Sequence, residues 1–330
     1  MLLPGLLWPA LAMRDMVFDL NLPALSWLLG KGRLNRSLVS GQQQWLSNAT
    51  GLANFPYAAL RANAGGDAGE DGRWLCLDPI RLRVERTQFI VEEPSSLHIT
   101  AEEAAALVHD LAPLFAELGE LHIASPHEWH LHLATATPLR TTPLPDAVGF
   151  NGDNLMPQAD NASVWRRLLN EAQMLLHAHP INRAREQRGL PTINSLWPWG
   201  EGALEAKTSL HWHSVQGHGA LWQGFAQFSN AAWSPVADRF NPSSGKTLIV
   251  HAALAESTAQ GDAMRWREAM KQLESDWFAP MVAALQDGTL HEVVLHGMGT
   301  GHALAARVTK NTRLAFWRSP ASLDILGIQP

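Results

Sequence analysis

With 330 residues, 46% of them hydrophobic and 17% charged, the chain has enough apolar material for one large or two moderate cores. It carries too little charge for a disordered protein. A formal net charge of -6 withholds the global basic surface that nucleic-acid binding rests on, leaving only a local run at Arg183, Arg185 and Arg188. No apolar run approaches the roughly 20 residues of a membrane span, and one cysteine, Cys76, permits no internal disulfide and fits a reduced, cytoplasmic setting.

In chain order, Met1–Met13 lacks a basic start and is interrupted by Pro4 and Pro9, so it reads as a buried strand entering a turn rather than a signal peptide. Asn21–Gly30 reads as a short helix with Pro23 in its first turn. Asn63–Gly72, rich in Gly, Asp and Ala, reads as a loop. Trp74–Glu85 is strand-like, with Ile80, Leu82 and Val84 alternating with polar neighbours to give one buried and one wet face. Thr100 and Glu103 form a capping box that opens a helix carrying Ala104, Leu107, Val108, Leu111 and Leu114 on one face.

Two strands are expected at Glu120–Ser125 and Trp129–Ala134, followed by an irregular stretch from Pro138 to Pro157. A second amphipathic helix spans Ser163–His179 with Trp165, Leu168, Leu169, Ala172, Leu175 and Leu176 as its stripe, and Pro180 marks its end. Residues 194–233 have poor periodicity. Thr247–Leu254 reads as a buried strand, Asp262–Gln286 as a long helix with Trp266, Met270, Leu273, Trp277 and Met281 inward, and Glu292–Leu295 as a short strand. Strands alternating with helices predict a mostly parallel, helix-covered sheet. The sequence has no internal repeat.

The residues that could carry chemistry are few. His130 and His132 lie two apart, so a strand would put them on one face, where they could share a zinc ion. No cysteine or carboxylate cluster follows at ligand spacing, which favours polar residues on a wet strand face. His211, His213 and His218 sit in a glycine-rich stretch where imidazoles often cap backbone groups. Cys76 lies in a strand-like run and reads as a buried, inert thiol. Phe240–Thr247 ends like a phosphate-binding loop, but it has Phe240 where the motif needs glycine and leads into a strand rather than a helix. The most unusual segment is Asn182–Gly202. Two tryptophans flank Pro198, two glycines flank Glu201, and Asn194 lies upstream, so the same residues could orient an anion or pack a hinge.

His179-Pro-Ile-Asn-Arg183 followed by Asn194-Ser-Leu-Trp-Pro-Trp-Gly-Glu-Gly202 resembles a motif of archaeal-type cofactor-independent phosphoglycerate mutases. His98-Ile-Thr-Ala-Glu-Glu-Ala104 and the helix after it are similar to that family's inserted domain. Trp165–His177 and Asp276–Pro280 resemble the RpfE-type regulatory proteins of bacteria. The resemblance implies an α/β fold: an alkaline-phosphatase-like, mostly parallel sheet flanked by helices (residues 1–88 plus 195–330), with a smaller α+β domain inserted at 89–194. It also implies a catalytic serine and two metal ions held by Asp and His from core loops, which would stabilise attacking and leaving oxygens.

This sequence departs from the family at those points. The first strand runs Leu2-Leu-Pro-Gly-Leu-Leu7 where the family has Asp-Gly. The acidic segment near His251–Gly261 keeps at most Glu256, the later Asp-His pair keeps His296, and Ser40 and Ser47 are the only serines near the place of the nucleophile. The expectation is therefore a non-catalytic regulatory or ligand-sensing protein without cofactor or metal. It would bind a small anionic or phosphorylated ligand through Asn182, Arg185, Asn194, Trp197, Trp199 and Glu201 at the core–insert junction, and no nucleic acid or membrane. The rivals are a metal-dependent phosphomutase or phosphatase using His211, His213 and His218, and a protein-interaction module.

Overall fold

A computed structural model describes residues 1–52, 55–65, 72–85, 88–92, 94–136, 139, 141–149, 162–204, 211–314 and 317–328. The chain opens with β1 (Leu2–Pro4), β2 (Trp8–Pro9), α1 (Ala10–Val17), α2 (Pro23–Lys31), β3 (Arg33–Leu38), α3 (Gln42–Thr50) and α4 (Tyr57–Ala64). Next come β4 (Arg73–Ile80), β5 (Leu82–Glu85), β6 (Gln88–Val91), α5 (Ala101–Phe115), β7 (Gly119–Ser125), β8 (Glu128–Leu133), α6 (Leu144–Ala147), α7 (Ala162–Ala178), α8 (Pro180–Gln187) and β9 (Ser195–Ala203). The last part holds β10 (Ser214–Gln216), α9 (Ala220–Phe228), β11 (Ala232–Ser234), β12 (Thr247–Ile249), α10 (Ala255–Ala259), α11 (Ala263–Leu273), α12 (Ala279–Asp287), β13 (Glu292–Gly299), β14 (His302–Thr309) and β15 (Gly327–Ile328). Among the described residues, no helix is long and apolar enough to cross a membrane.

The chain divides into two units. Unit 1 comprises Met1–Gly51, Leu210–His218 and Asn230–Pro330, and unit 2 comprises Leu52–Ser209 and Gly219–Ser229. These boundaries differ from the expected 1–88, 89–194 and 195–330. The reason is strand pairing: β4 pairs antiparallel with both β8 and β9, so residues on either side of the expected insert belong to its sheet.

In unit 1, β1 pairs parallel with β13, and β13, β14 and β3 continue antiparallel. A second sheet, β11-β10-β12, is entirely parallel. One parallel bridge, Leu2 to Val250, joins the two, supported by the His251 amide donating to the Leu2 carbonyl at 3.0 Å. The expected single, mostly parallel sheet is thus replaced by small sheets, one of them mixed, with β2 and β15 forming a further parallel pair. Burial explains β1, whose Leu2 and Leu3 are wholly inaccessible, as a strand covered on both faces should be. The long helix expected at 262–286 is present, with its inward stripe buried, but a π turn at Glu274–Phe278 separates α11 from α12. The Glu274 carboxylate accepts from the Ala24 and Leu25 amides at 2.6 and 3.1 Å, supplying negative charge to the start of α2.

Unit 2 is built on the antiparallel sheet β7-β8-β4-β9. One face packs Leu75, Leu77, Leu121, Trp129, Leu131 and Leu196 against the stripes of α5 and α7, including Leu107, Leu111, Trp165, Leu169 and Leu176. The capping box forms in both directions between Thr100 and Glu103. Pro180 does end α7, but it also opens α8 at its first turn, with His179 as the cap. Within the stretch without periodicity, β9 and α9 form. In α9 Gly224 is required by close approach, since a Cβ there would lie 1.6 Å from the Leu60 carbonyl of α4. The expected alternation past Ile80 fails. β5 leaves the sheet for a hairpin with β6, and Val84 is exposed. Of the expected loop at 63–72, Asn63 and Ala64 end α4 and 66–71 lie outside the described residues; of the irregular stretch at 138–157, the described part holds the short helix α6.

Candidate functional site

All six residues singled out in the sequence belong to unit 2, and all have partners within it. Arg185 is wholly buried. Its Nη1 donates to Glu103 at 2.5 Å, its Nε to the Pro191 carbonyl at 2.8 Å, and its Nη2 to the Leu97 carbonyl. Arg188 binds the other Glu103 oxygen at 2.5 Å. Burial raises the Glu103 pKa, but the Thr100 amide and the two arginines outweigh it and hold the carboxyl below its ordinary range. Asn182 donates to the Leu176 and Ile193 carbonyls and accepts from the Ile193 amide, which locks α7, α8 and the entry to β9 together. Asn194 pairs with both backbone groups of Leu82 at 2.8 and 2.9 Å.

Trp197 donates to the Thr142 carbonyl at 2.9 Å, Trp199 donates to Asp78 at 2.8 Å, and Glu201 lies 3.5 Å from Arg73. Each residue of the expected ligand-facing set has a partner within unit 2. Arg185 belongs to a cluster around Glu103, Asn182 ties the backbone at Leu176 and Ile193, and Trp199 belongs to another cluster around Asp78.

The second cluster centres on residues the sequence reading passed over. Asp78 on β4 accepts from both Arg61 Nη atoms at 2.8 and 2.7 Å, from the Trp129 amide at 3.0 Å and from Trp199. Arg61 also donates to the Cys76 sulfur at 3.2 Å and lies 3.6 Å from Glu128. Burial would lower the arginine pKa, but Asp78 more than compensates and it rises. Burial raises the Cys76 thiol well above its ordinary value, so the thiolate is disfavoured, as the inert reading expects. A buried ion pair with four accepted bonds and a bidentate arginine ties α4 to β4, β8 and β9. Spacing within the sequence carried no signal of it, because Arg61 and Asp78 lie on different elements.

Beside it, His130 faces Cys76 on β4 and His122 on β7, and His132 faces Trp74. His130 and His132 do share a strand face, but that face is not uniformly wet. His130 is 1% exposed with Nε2 unpartnered, and His132 stacks on Trp74 at 4.6 Å between ring centroids. Burial, then Arg61 and His122, lower the His130 pKa well below its usual value.

In unit 1 the relevant feature is the edge where parallel strands end. Gly5 follows β1 with φ of +81°. Its carbonyl accepts from the Thr258 hydroxyl at 2.8 Å and the Trp266 indole at 2.9 Å. His218 follows β10, and His251 follows β12. The His251 pKa is lowered by burial and then by His218, and its ring meets Trp277 edge-on at 5.2 Å. Glu256 is turned to Arg265 at 2.8 Å. His211 and His213 are exposed. Two divalent ions each need several donors at set distances, with hard cations taking carboxylate oxygens. Among the described residues, no three His, Cys, Asp or Glu side chains group closely enough to hold a metal ion. Among the described residues the donors at this edge are imidazoles, with the one nearby carboxylate, Glu256, committed to Arg265, and they do not fit a two-metal centre.

No family model matches the chain. It is similar to the 2,3-bisphosphoglycerate-independent phosphoglycerate mutase of Methanothrix thermoacetophila, with 28% identity over 122 residues, 37% of this chain and 31% of that protein. The enzyme of the same name from Methanosarcina barkeri is 24% identical over 196 residues, 55% of this chain and 48% of that protein. The chain thus matches less than half the length of these curated relatives. Among solved structures, the cofactor-independent phosphoglycerate mutase of Thermoplasma acidophilum superposes with a TM-score of 0.42 at 15% identity, covering 93% of this chain and 89% of that one. The PH0037 protein of Pyrococcus horikoshii superposes with a TM-score of 0.49 at 14% identity, covering 93% and 87%. The chain is a distant relative of the cofactor-independent phosphoglycerate mutases.

Proposed function

We propose that this chain is a phosphoglycerate-mutase relative that does not interconvert phosphoglycerates and works instead as a regulatory or ligand-sensing protein of the RpfE type. The observation that carries the reading is the end of β1. The segment there is Gly5-Leu6-Leu7, and the Gly5 carbonyl is occupied by Thr258 and Trp266. A backbone locked into the core by two donors, with leucines following it, cannot serve as the carboxylate-bearing loop that two-metal phosphoryl transfer requires.

The test is a coupled assay of 2- and 3-phosphoglycerate interconversion by the purified chain, with manganese, zinc or cobalt added in turn. The expected result is no turnover above the metal-only control. A rate in the common enzymatic range of about 1–10³ per second would overturn the proposal.

A further inference from the structure

The helix α3 and the sheet face formed by β3, β14 and β13 border an open groove of about 240 Å³, entirely within unit 1, with Asn35, Ser37 and Asn48 exposed along it. Strand register builds its floor. Asn35, Ala305 and His296 lie in one cross-strand row, and Ser37 pairs with Ala303 in the next. Residues paired directly across strands share a face. The two alanines leave space where larger side chains would fill it, and Asn35 and His296 stand about 10 Å apart across Ala305, two strand spacings. Trp45 and Asn48 on α3 form the opposite wall.

The lining mixes apolar and neutral polar groups and carries no formal charge: none of the described residues around the cavity is Lys, Arg, Asp or Glu. Trp45 is 2% exposed, and its buried indole N–H has no partner. Buried donors are nearly always paired, so such an orphan calls for an explanation. Among the described residues, no hydrogen bond engages the side chains of Asn35, Ser37 or Asn48, which are exposed, or of His296.

We propose that this cavity binds a nucleobase. A cavity without cations disfavours phosphates and carboxylates, including the phosphoglycerates. An asparagine amide offers a donor and an acceptor side by side, the pattern that reads a base edge. Two such amides and an imidazole surround a flat floor of alanines, with an indole in the wall, so a planar heterocycle laid over Ala305 can meet polar groups along its edge. At about 30 Å³ per liquid water, the space equals roughly eight waters, enough for a base with its ribose in the open mouth. The site stands whether or not the chain catalyses phosphoryl transfer.

Saturation-transfer NMR on the full chain, with adenosine, guanosine, cytidine and uridine offered separately, tests this. At least one nucleoside should show transfer to its base protons. Ala305→Leu should abolish it by filling the floor. Asn48→Ala, at an exposed position, should weaken it about tenfold while leaving the melting temperature unchanged. If Ala305→Leu does not fold, Asn48→Ala decides alone. Absence of transfer for all four nucleosides would overturn the proposal, as would equal binding of free ribose or full binding by both variants.

Discussion

On the unit 2 sheet, Asp78 accepts four hydrogen bonds, and every nitrogen of the Arg185 guanidinium has an acceptor. On the unit 1 sheet, Asn35, Ser37 and His296 face a cavity and Trp45 keeps an unpaired N–H. Charge explains the contrast. A buried ion must be paired and hydrogen-bonded to persist, so the charged clusters of unit 2 have little capacity left for a ligand. Neutral amides and hydroxyls at a partly open face pay no such penalty and can wait unpartnered.

The largest effect should come from breaking the Asp78 cluster. Asp78→Ala leaves Arg61 buried without its carboxylate and the Trp199 indole and Trp129 amide without an acceptor. The expected loss is about 3–5 kcal/mol. Hydrogen exchange of the β4 and β8 amides would localise it, because opening of unit 2 sets their protection. Protection unchanged from the wild type would refute the view that this ion pair holds the sheet together.

Arg185→Ala should cost about 3 kcal/mol, at the lower end of the same range, because Glu103 keeps Arg188 and the Thr100 amide. This outcome sharpens the comparison. A ligand-facing arginine would leave the melting temperature nearly unchanged when removed, whereas an internal tie lowers it. A melt within the ±0.5 kcal/mol typical of surface substitutions would restore the ligand reading of the Asn182–Glu201 set.

The local patterns were legible in the sequence where one element decides its own form. The capping box at Thr100 and Glu103, the stripes of α5 and α7 and the inward face of α11 and α12 all follow from helical periodicity. The strand β9 was not legible, because its Trp-Pro-Trp core and glycines show no alternation and its pairing with β4 is set by residues more than a hundred positions away. Pro180 marks a stop in the sequence pattern and is also a start, since a proline ends one helix and suits the first turn of the next. The Arg61–Asp78 pair and the cavity over Ala305 were invisible for a common reason. Each is assembled by strand register and by helix packing, and neither leaves a spacing in the sequence.

The smallest effect concerns His130 and appears only in acid. Burial first, and then the neighbouring Arg61 and His122, oppose a proton on it, and Cys76 is its cross-strand neighbour. Its pKa in the folded chain is therefore well below the 6.5 of a free imidazole, while the unfolded chain keeps the ordinary value. Above pH 6.5 both states hold the ring neutral, and its contribution to stability is fully present. As the pH falls below 6.5, the unfolded state takes up a proton that the folded state refuses, and stability is lost until the folded pKa is reached. His130→Phe keeps the ring volume beside Trp74 and removes the titration. The wild type should lose more melting temperature than His130→Phe between pH 7.5 and 5.5, and the two should run parallel above pH 7. Parallel curves across the whole range would show that His130 gains its proton as easily folded as unfolded, and would reopen this strand face as a wet one.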